Sequence, residues 1–88
     1  MFSKRYNVGM LVSQRIYESF CRNVEGRMAE LNMSRSELAA SLEVTPSYVS
    51  QILNGHRRPG LATLEDFARV LKSTPSDLIA EKKTSRSA

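Results

Sequence analysis

Two helix starts stand almost back to back in the middle of this chain, and they leave few ways to build around them. Ser34 is followed by Glu37, so the hydroxyl can accept from the Glu37 amide while the carboxylate reaches back to the Ser34 amide. Thr45 is a good N-cap, and Pro46 suits the first helical position, where its missing N–H would have had no partner. Only Glu43 and Val44 lie between the apolar series Leu38, Ala39 and Leu42 and the second cap. So short a connection makes consecutive helices meet at a steep angle through a tight turn.

Helical periodicity extends in both directions, and strand alternation is hard to find. Ile16, Phe20, Val24, Met28 and Leu31 recur every three or four positions, which predicts a helix ending near Asn32. Gly26 interrupts it at a cost of about 1 kcal/mol relative to Ala. After Thr45, residues Val49, Ile52 and Leu53 face inward, and Asn54-Gly55 ends that helix because both tolerate the left-handed conformation. His56, Arg57, Arg58, Pro59 and Gly60 form a loop. Leu61, Leu64, Ala68 and Leu71, flanked by Phe67, predict a fourth amphipathic helix. Thr74-Pro75 with Asp77 opens a short fifth one carrying Leu78 and Ile79. The fold expected is all-α.

Composition narrows the function. At 88 residues, 41% hydrophobic and 25% charged, the chain has room for one small folded core. The single cysteine, Cys21, cannot close an internal disulfide, and with one histidine, His56, it cannot build a tetrahedral zinc site. Cys21 is expected in or beside the core. No apolar run approaches the roughly 20 residues of a membrane helix. There is no Gly-rich phosphate loop and no cluster of metal-ligating side chains. Neither an enzyme, a cofactor, a metal nor a membrane partner is expected, and the chain reads as cytoplasmic. Thirteen Lys and Arg against nine Asp and Glu give a net charge of +4, which suits a polyanion. The expected organisation is an N-terminal extension over 1–14, a helical domain over 15–81 and a flexible basic tail over 82–88.

Residues 34–55, SRSELAASLEVTPSYVSQILNG, followed by HRRPGLATLEDFARVL over 56–71, resemble the Cro/repressor-type (Xre-like) helix-turn-helix family. Leu38-Ala39, Val44, Val49-Ser50, Ile52, Asn54-Gly55, Pro59 and Leu64 fall in register, and the resemblance spans roughly residues 18–80. It implies a five-helix, lambda-repressor-like DNA-binding domain whose third helix enters the major groove of double-stranded DNA. Read from the residues alone, Ser47, Ser50, Gln51 and Asn54 share the side of that helix opposite Val49 and Ile52. Ser47, Tyr48, Ser50 and Gln51 are the candidate base readers, Gln51 through a carboxamide able to pair with adenine N6 and N7. Tyr48 can equally touch a thymine methyl or reach a phosphate. Ser34, Arg35, Thr45, Asn54, His56, Arg57 and Arg58 are the candidate phosphate contacts, with the two hydroxyls also used as caps.

The chain departs from the family pattern in three places. Glu43 stands where relatives usually have a left-handed Gly. Met28 and Leu53 stand where many relatives pair an Arg with a Glu. Lys72 and Ser73 stand where Gly and an apolar residue are common. The resemblance implies a nucleoid-associated transcriptional regulator, most simply a repressor that binds a palindromic operator as a homodimer. The rival reading is an antitoxin that holds a toxin and controls its own promoter. Phe2, Tyr6, Val8, Met10, Leu11 and Val12 have no evident place in the family core and either form a dimer interface or extend the first helix and lie over the same chain's core; Leu78 and Ile79 of the fifth helix offer another interface.

Overall fold

Side-chain caps set the start of four of the five helices. In a computed structural model that describes residues 13–81, five helices follow one another: α1 Gln14–Leu31, α2 Arg35–Leu42, α3 Pro46–Leu53, α4 Leu61–Val70 and α5 Pro75–Ile79. The segment with Phe2, Tyr6, Val8, Met10, Leu11 and Val12, and the basic tail over 82–88, lie outside the described residues. Ser13 caps α1, its hydroxyl accepting from the Ile16 amide at 3.3 Å. Both bonds of the Ser34 capping box form, Glu37 N–H to Ser34 Oγ at 3.0 Å and Ser34 N–H to Glu37 Oε1 at 2.8 Å. Thr45 accepts from the Tyr48 amide at 3.1 Å and Thr74 from the Asp77 amide at 3.1 Å, each ahead of a proline. The α4 helix begins at Gly60 with no side-chain cap.

Three helices end in the same way. The amides of Met33, Val44 and Ser73 bond back to the carbonyls of Met28, Ala39 and Ala68 at 2.9, 3.0 and 2.8 Å. Each such closure requires a left-handed residue just before it, and here those residues are Asn32, Glu43 and Lys72, at φ of 56°, 62° and 56°. Glycine stands at none of them. The α3 end closes in the same way with glycine in the left-handed place: Asn54 stays at φ −91°, Gly55 takes φ 92°, and the His56 amide bonds back to the Gln51 carbonyl at 2.8 Å. The helix thus ends at the Asn54-Gly55 pair as expected, with Gly55 the residue that takes the left-handed conformation.

The core is apolar but for the buried Ser19, and within it Phe20 and Phe67 meet edge to face at a centroid separation of 5.2 Å. Packing joins α1 to α5, α2 to α3, α4 to α5 and α2 to α4. Met28 and Leu53 are both buried, so hydrophobic side chains occupy the two positions where many relatives hold charge. Two sequence assignments shift. The inward face of α1 runs Tyr17, Phe20, Val24, Met28, whereas Ile16 and Leu31 are half-buried. On α4, Phe67 is fully buried and Leu61, expected inward, is 50% exposed. Leu61 occupies the first turn, before the helix has passed beneath its neighbours.

Long-range caps hold α4 and α5 to α1. Arg27 donates from Nε to the Leu71 carbonyl at 2.8 Å and from Nη2 to the Lys72 carbonyl at 3.2 Å. Asn23 Nδ2 lies 2.8 Å from the carbonyls of both Leu78 and Ala80. These side chains serve orphan acceptors that a helix end cannot serve itself.

Glu43 is exposed and left-handed, a state that costs a non-glycine residue about 1–2 kcal/mol, while glycine loses more entropy on folding. Glu43→Gly is therefore expected to gain up to about 1 kcal/mol, seen as a higher urea midpoint at an unchanged slope. A lower midpoint would show that the carboxylate outweighs the backbone strain.

Candidate nucleic-acid interface

The α3 helix has one face in the core and one in solvent. Val49, Ile52 and Leu53 are buried, and Ser47, Gln51 and Asn54 are exposed. These three polar residues are spaced one helical turn apart, so they form a single stripe. Ser50 and Tyr48 flank the stripe and are half-buried, Tyr48 packing against the core. Ser50 is thus not the fully outward residue that periodicity placed on this face.

The orientation of α3 is set from α1. The Tyr17 hydroxyl, buried, donates to the Ile52 carbonyl, and the Cys21 thiol approaches the same oxygen at 3.4 Å. Burial pushes the Tyr17 phenol above its ordinary value, with the neighbouring Cys21 adding to the effect. Burial, then the nearby Glu25 carboxylate, push the Cys21 thiol up as well. Both groups are therefore held in their neutral, donating forms.

Arg35, at the first position of α2, joins three helices. Its Nη2 pairs with Glu25 of α1 at 2.9 Å, and its Nη1 donates to Asn54 Oδ1 at 3.2 Å and to Ser50 Oγ at 3.5 Å. Three expected contact residues, Arg35, Ser50 and Asn54, are thereby brought together at one end of the stripe. The ion pair is partly exposed, with side chains 36% and 49% accessible, so it orients the guanidinium more than it stabilises the fold.

At the other side of the stripe the loop after α3 folds back. The amides of His56 and Arg57 both donate to the Gln51 carbonyl, at 2.8 and 3.1 Å. Arg57 then lays its guanidinium over the Tyr48 ring, 5.2 Å from the centroid, and donates from Nε to Gln51 Oε1 at 3.0 Å. Arg58 turns toward α1, where Nη2 meets Gln14 Oε1 at 2.6 Å and the guanidinium lies 5.8 Å from the Tyr17 ring centroid. His56 is exposed. Ser34 and Thr45 use their oxygens as caps, which leaves each hydroxyl proton to donate outward.

Sequence reasoning passed over Tyr17, Glu25 and Gln14. Tyr17 was legible in principle, since it lies one turn ahead of Phe20 and Cys21 on α1. Glu25 and Gln14 were not, because nothing local joins them to Arg35 and Arg58. Among the described residues no group of His, Cys, Asp or Glu could hold a metal ion, and no helix is long and apolar enough to cross a membrane.

A helix-turn-helix family model matches residues 25–78, from the middle of α1 into α5. No curated protein matches the chain. Among solved structures it is similar to a hypothetical transcription factor, NHTF, from Neisseria, with a TM-score of 0.74 and 19% identity over 83% of this chain and 85% of that one. It is also similar to the SOS-response transcriptional repressor LexA from Eubacterium rectale, with a TM-score of 0.71 and 23% identity over 89% of this chain and 83% of that one. The similarity to substrate-bound iron(II) HppE, at a TM-score of 0.65 and 27% identity, covers 70% of this chain and 36% of HppE. At their identities the first two support the fold, and the third places a comparable unit within part of a longer protein.

The raised Tyr17 and Cys21 values set a pH dependence. A group that stays protonated longer when folded contributes stability that is complete below its unfolded value and is lost as pH rises through the folded one. The urea midpoint is expected to hold steady near neutrality and to fall from about pH 9 upward. That decline should be shallower in Tyr17→Phe, measured by denaturation across the alkaline range. A decline of equal steepness in the variant would remove Tyr17 as a contributor.

Proposed function

Because this chain belongs to the Cro/repressor-type helix-turn-helix family of DNA-binding transcriptional regulators, we propose that it binds a palindromic operator as a homodimer and represses by occluding a promoter. The observation that carries this reading is the two-sided α3, whose exposed stripe of Ser47, Gln51 and Asn54 is bordered by Arg35 and Arg57, with Arg58 beyond them over α1. A helix of this kind fits the major groove, with the stripe meeting base edges and the flanking cations meeting phosphates.

Ser47 and Gln51 read bases, and Tyr48 reaches a thymine methyl or a phosphate from the edge of the stripe. Ser50 takes part in reading through its contact with Arg35. The phosphate contacts are the hydroxyls of Ser34 and Thr45, the side chains of Arg35, Asn54 and His56, and the cations of Arg57 and Arg58. Arg35 exchanges Glu25 for a phosphate on binding, since a full negative charge on DNA competes directly for the same Nη2. The chain acts at the nucleoid, without a cofactor or metal.

A single recognition helix covers only a few base pairs, which is the reason for a dimer. Leu78 is committed to the subunit's own core, so α5 contributes to an interface chiefly through the half-buried Ile79. The apolar residues before Ser13 supply the remainder.

Selection of bound duplexes from a random pool tests the reading. The motif recovered is expected to have half-site centres about 10–10.5 base pairs apart, or a multiple of that. Gln51→Ala should relax one base pair in each half-site by about 1–3 kcal/mol. Arg58→Ala should weaken all sequences alike and flatten the salt dependence by about one unit. Protein that sediments as a monomer on its own operator would refute the dimer, and a stable complex with a toxin encoded beside it would mark an antitoxin instead.

A further inference from the structure

Gln51 is an exposed glutamine, and an exposed carboxamide ordinarily rotates freely. Here it does not stand alone. The loop after α3 is tied to the Gln51 backbone by two amides, at 2.8 and 3.1 Å, and this fixes where Arg57 leaves the chain. The Arg57 guanidinium then lies over Tyr48, a ring itself packed on the core one turn before Gln51. From that position Nε donates to Gln51 Oε1 at 3.0 Å. Backbone and ring fix the guanidinium, and the guanidinium meets the carboxamide oxygen.

The consequence lies in what faces outward. A glutamine pairs with adenine by accepting from N6 and donating to N7, which requires Oε1 to be available beside Nε2. With one of the two Oε1 lone pairs taken by Arg57 and the guanidinium standing beside the other, the group presented most openly to the groove is Nε2, a donor. Arg57 retains N–H groups on Nη1 and Nη2, which are donors only. Side by side they present an edge of donors and positive charge. Adenine sets a donor, its N6 amino group, against that edge; guanine sets two acceptors, N7 and O6.

Building on the proposed DNA-reading role of α3, we infer that Arg57 is a positioning residue for Gln51, and that the pair selects guanine over adenine at the base Gln51 reads. The phosphate role of Arg57 is not displaced by this, because Nε makes the internal contact and the Nη groups remain. Lysine at the same place would carry the charge but has neither the planar face for Tyr48 nor a donor at the Nε position.

The test compares the full-length protein with Gln51→Ala, Arg57→Lys and Arg57→Ala by selection from a random duplex pool, with binding measured across salt concentrations. The position read by Gln51 is the one that Gln51→Ala relaxes. There the parent protein is expected to prefer guanine to adenine by about tenfold. Arg57→Lys should abolish or reverse that preference with its salt slope unchanged, and Arg57→Ala should do the same with a flatter slope. In the free protein, nuclear relaxation of the Gln51 side-chain NH2 should show a restricted group that becomes mobile in both Arg57 variants. A preference for adenine in the parent, or a guanine preference that survives Arg57→Lys, overturns the inference and leaves the DNA-reading role standing. A pool from which the parent enriches no motif, or a motif that Gln51→Ala leaves intact, overturns both.

Discussion

The carbonyls in the last turn of a helix have no partner within it, and what accepts them decides where that helix points. At Ile52 the carbonyl receives the Tyr17 hydroxyl, the Cys21 thiol and, at 3.3 Å, the Gly55 amide. Two of these donors come from α1, so the far end of α3 is referenced to the longest helix in the domain. The near end is fixed by the Thr45 cap and by the short passage from α2. With both ends set, the exposed stripe of α3 has one orientation, and Arg35, the 56–58 loop and Tyr48 are arranged around it. A shift of α3 along its axis would break the Ile52 contacts and bring polar side chains into the place of Val49 and Leu53.

Local chemistry made the helix starts legible. Ser34 with Glu37, Thr45 with Pro46, and Thr74 with Asp77 each act within a single turn, so the residues that make the bond stand together in the chain. The left-handed site at Glu43 was legible for another reason, through the family resemblance, which puts glycine at that place. The caps on α4 and α5 were hidden, because Arg27 and Asn23 reach carbonyls more than forty residues away. The misplacement of Leu61 has another cause: helical spacing specifies a face, while burial also depends on where along the helix a neighbour lies across it.

At the interface, periodicity identified Ser47, Gln51 and Asn54 as a stripe, since alternation of burial along α3 follows directly from the sequence. It had no means of telling that Ser50 sits against Arg35, or that Arg35 faces Glu25. Each of these residues has several charged or polar candidates for a partner, and only the packing of α1 against α2 and α3 chooses among them. The family resemblance supplied the expectation that this face meets DNA, and the side-chain network shows how its groups are held.

The shortness of α5 has a thermodynamic meaning. Five residues are far below the roughly 12–15 at which an isolated helix becomes even marginal in water, so α5 exists only while it is docked. Its docking rests on Leu78 in the core and on Asn23 at its carboxyl end, and it packs chiefly on α1 and α4, away from the pairing of α2 with α3. Undocking is therefore a local opening of low free energy, a fraction of what global unfolding requires, and amides of α5 should exchange ahead of those in α3. Loosening of α5 would leave the packing of α2 on α3, and with it the exposed stripe of α3, in place.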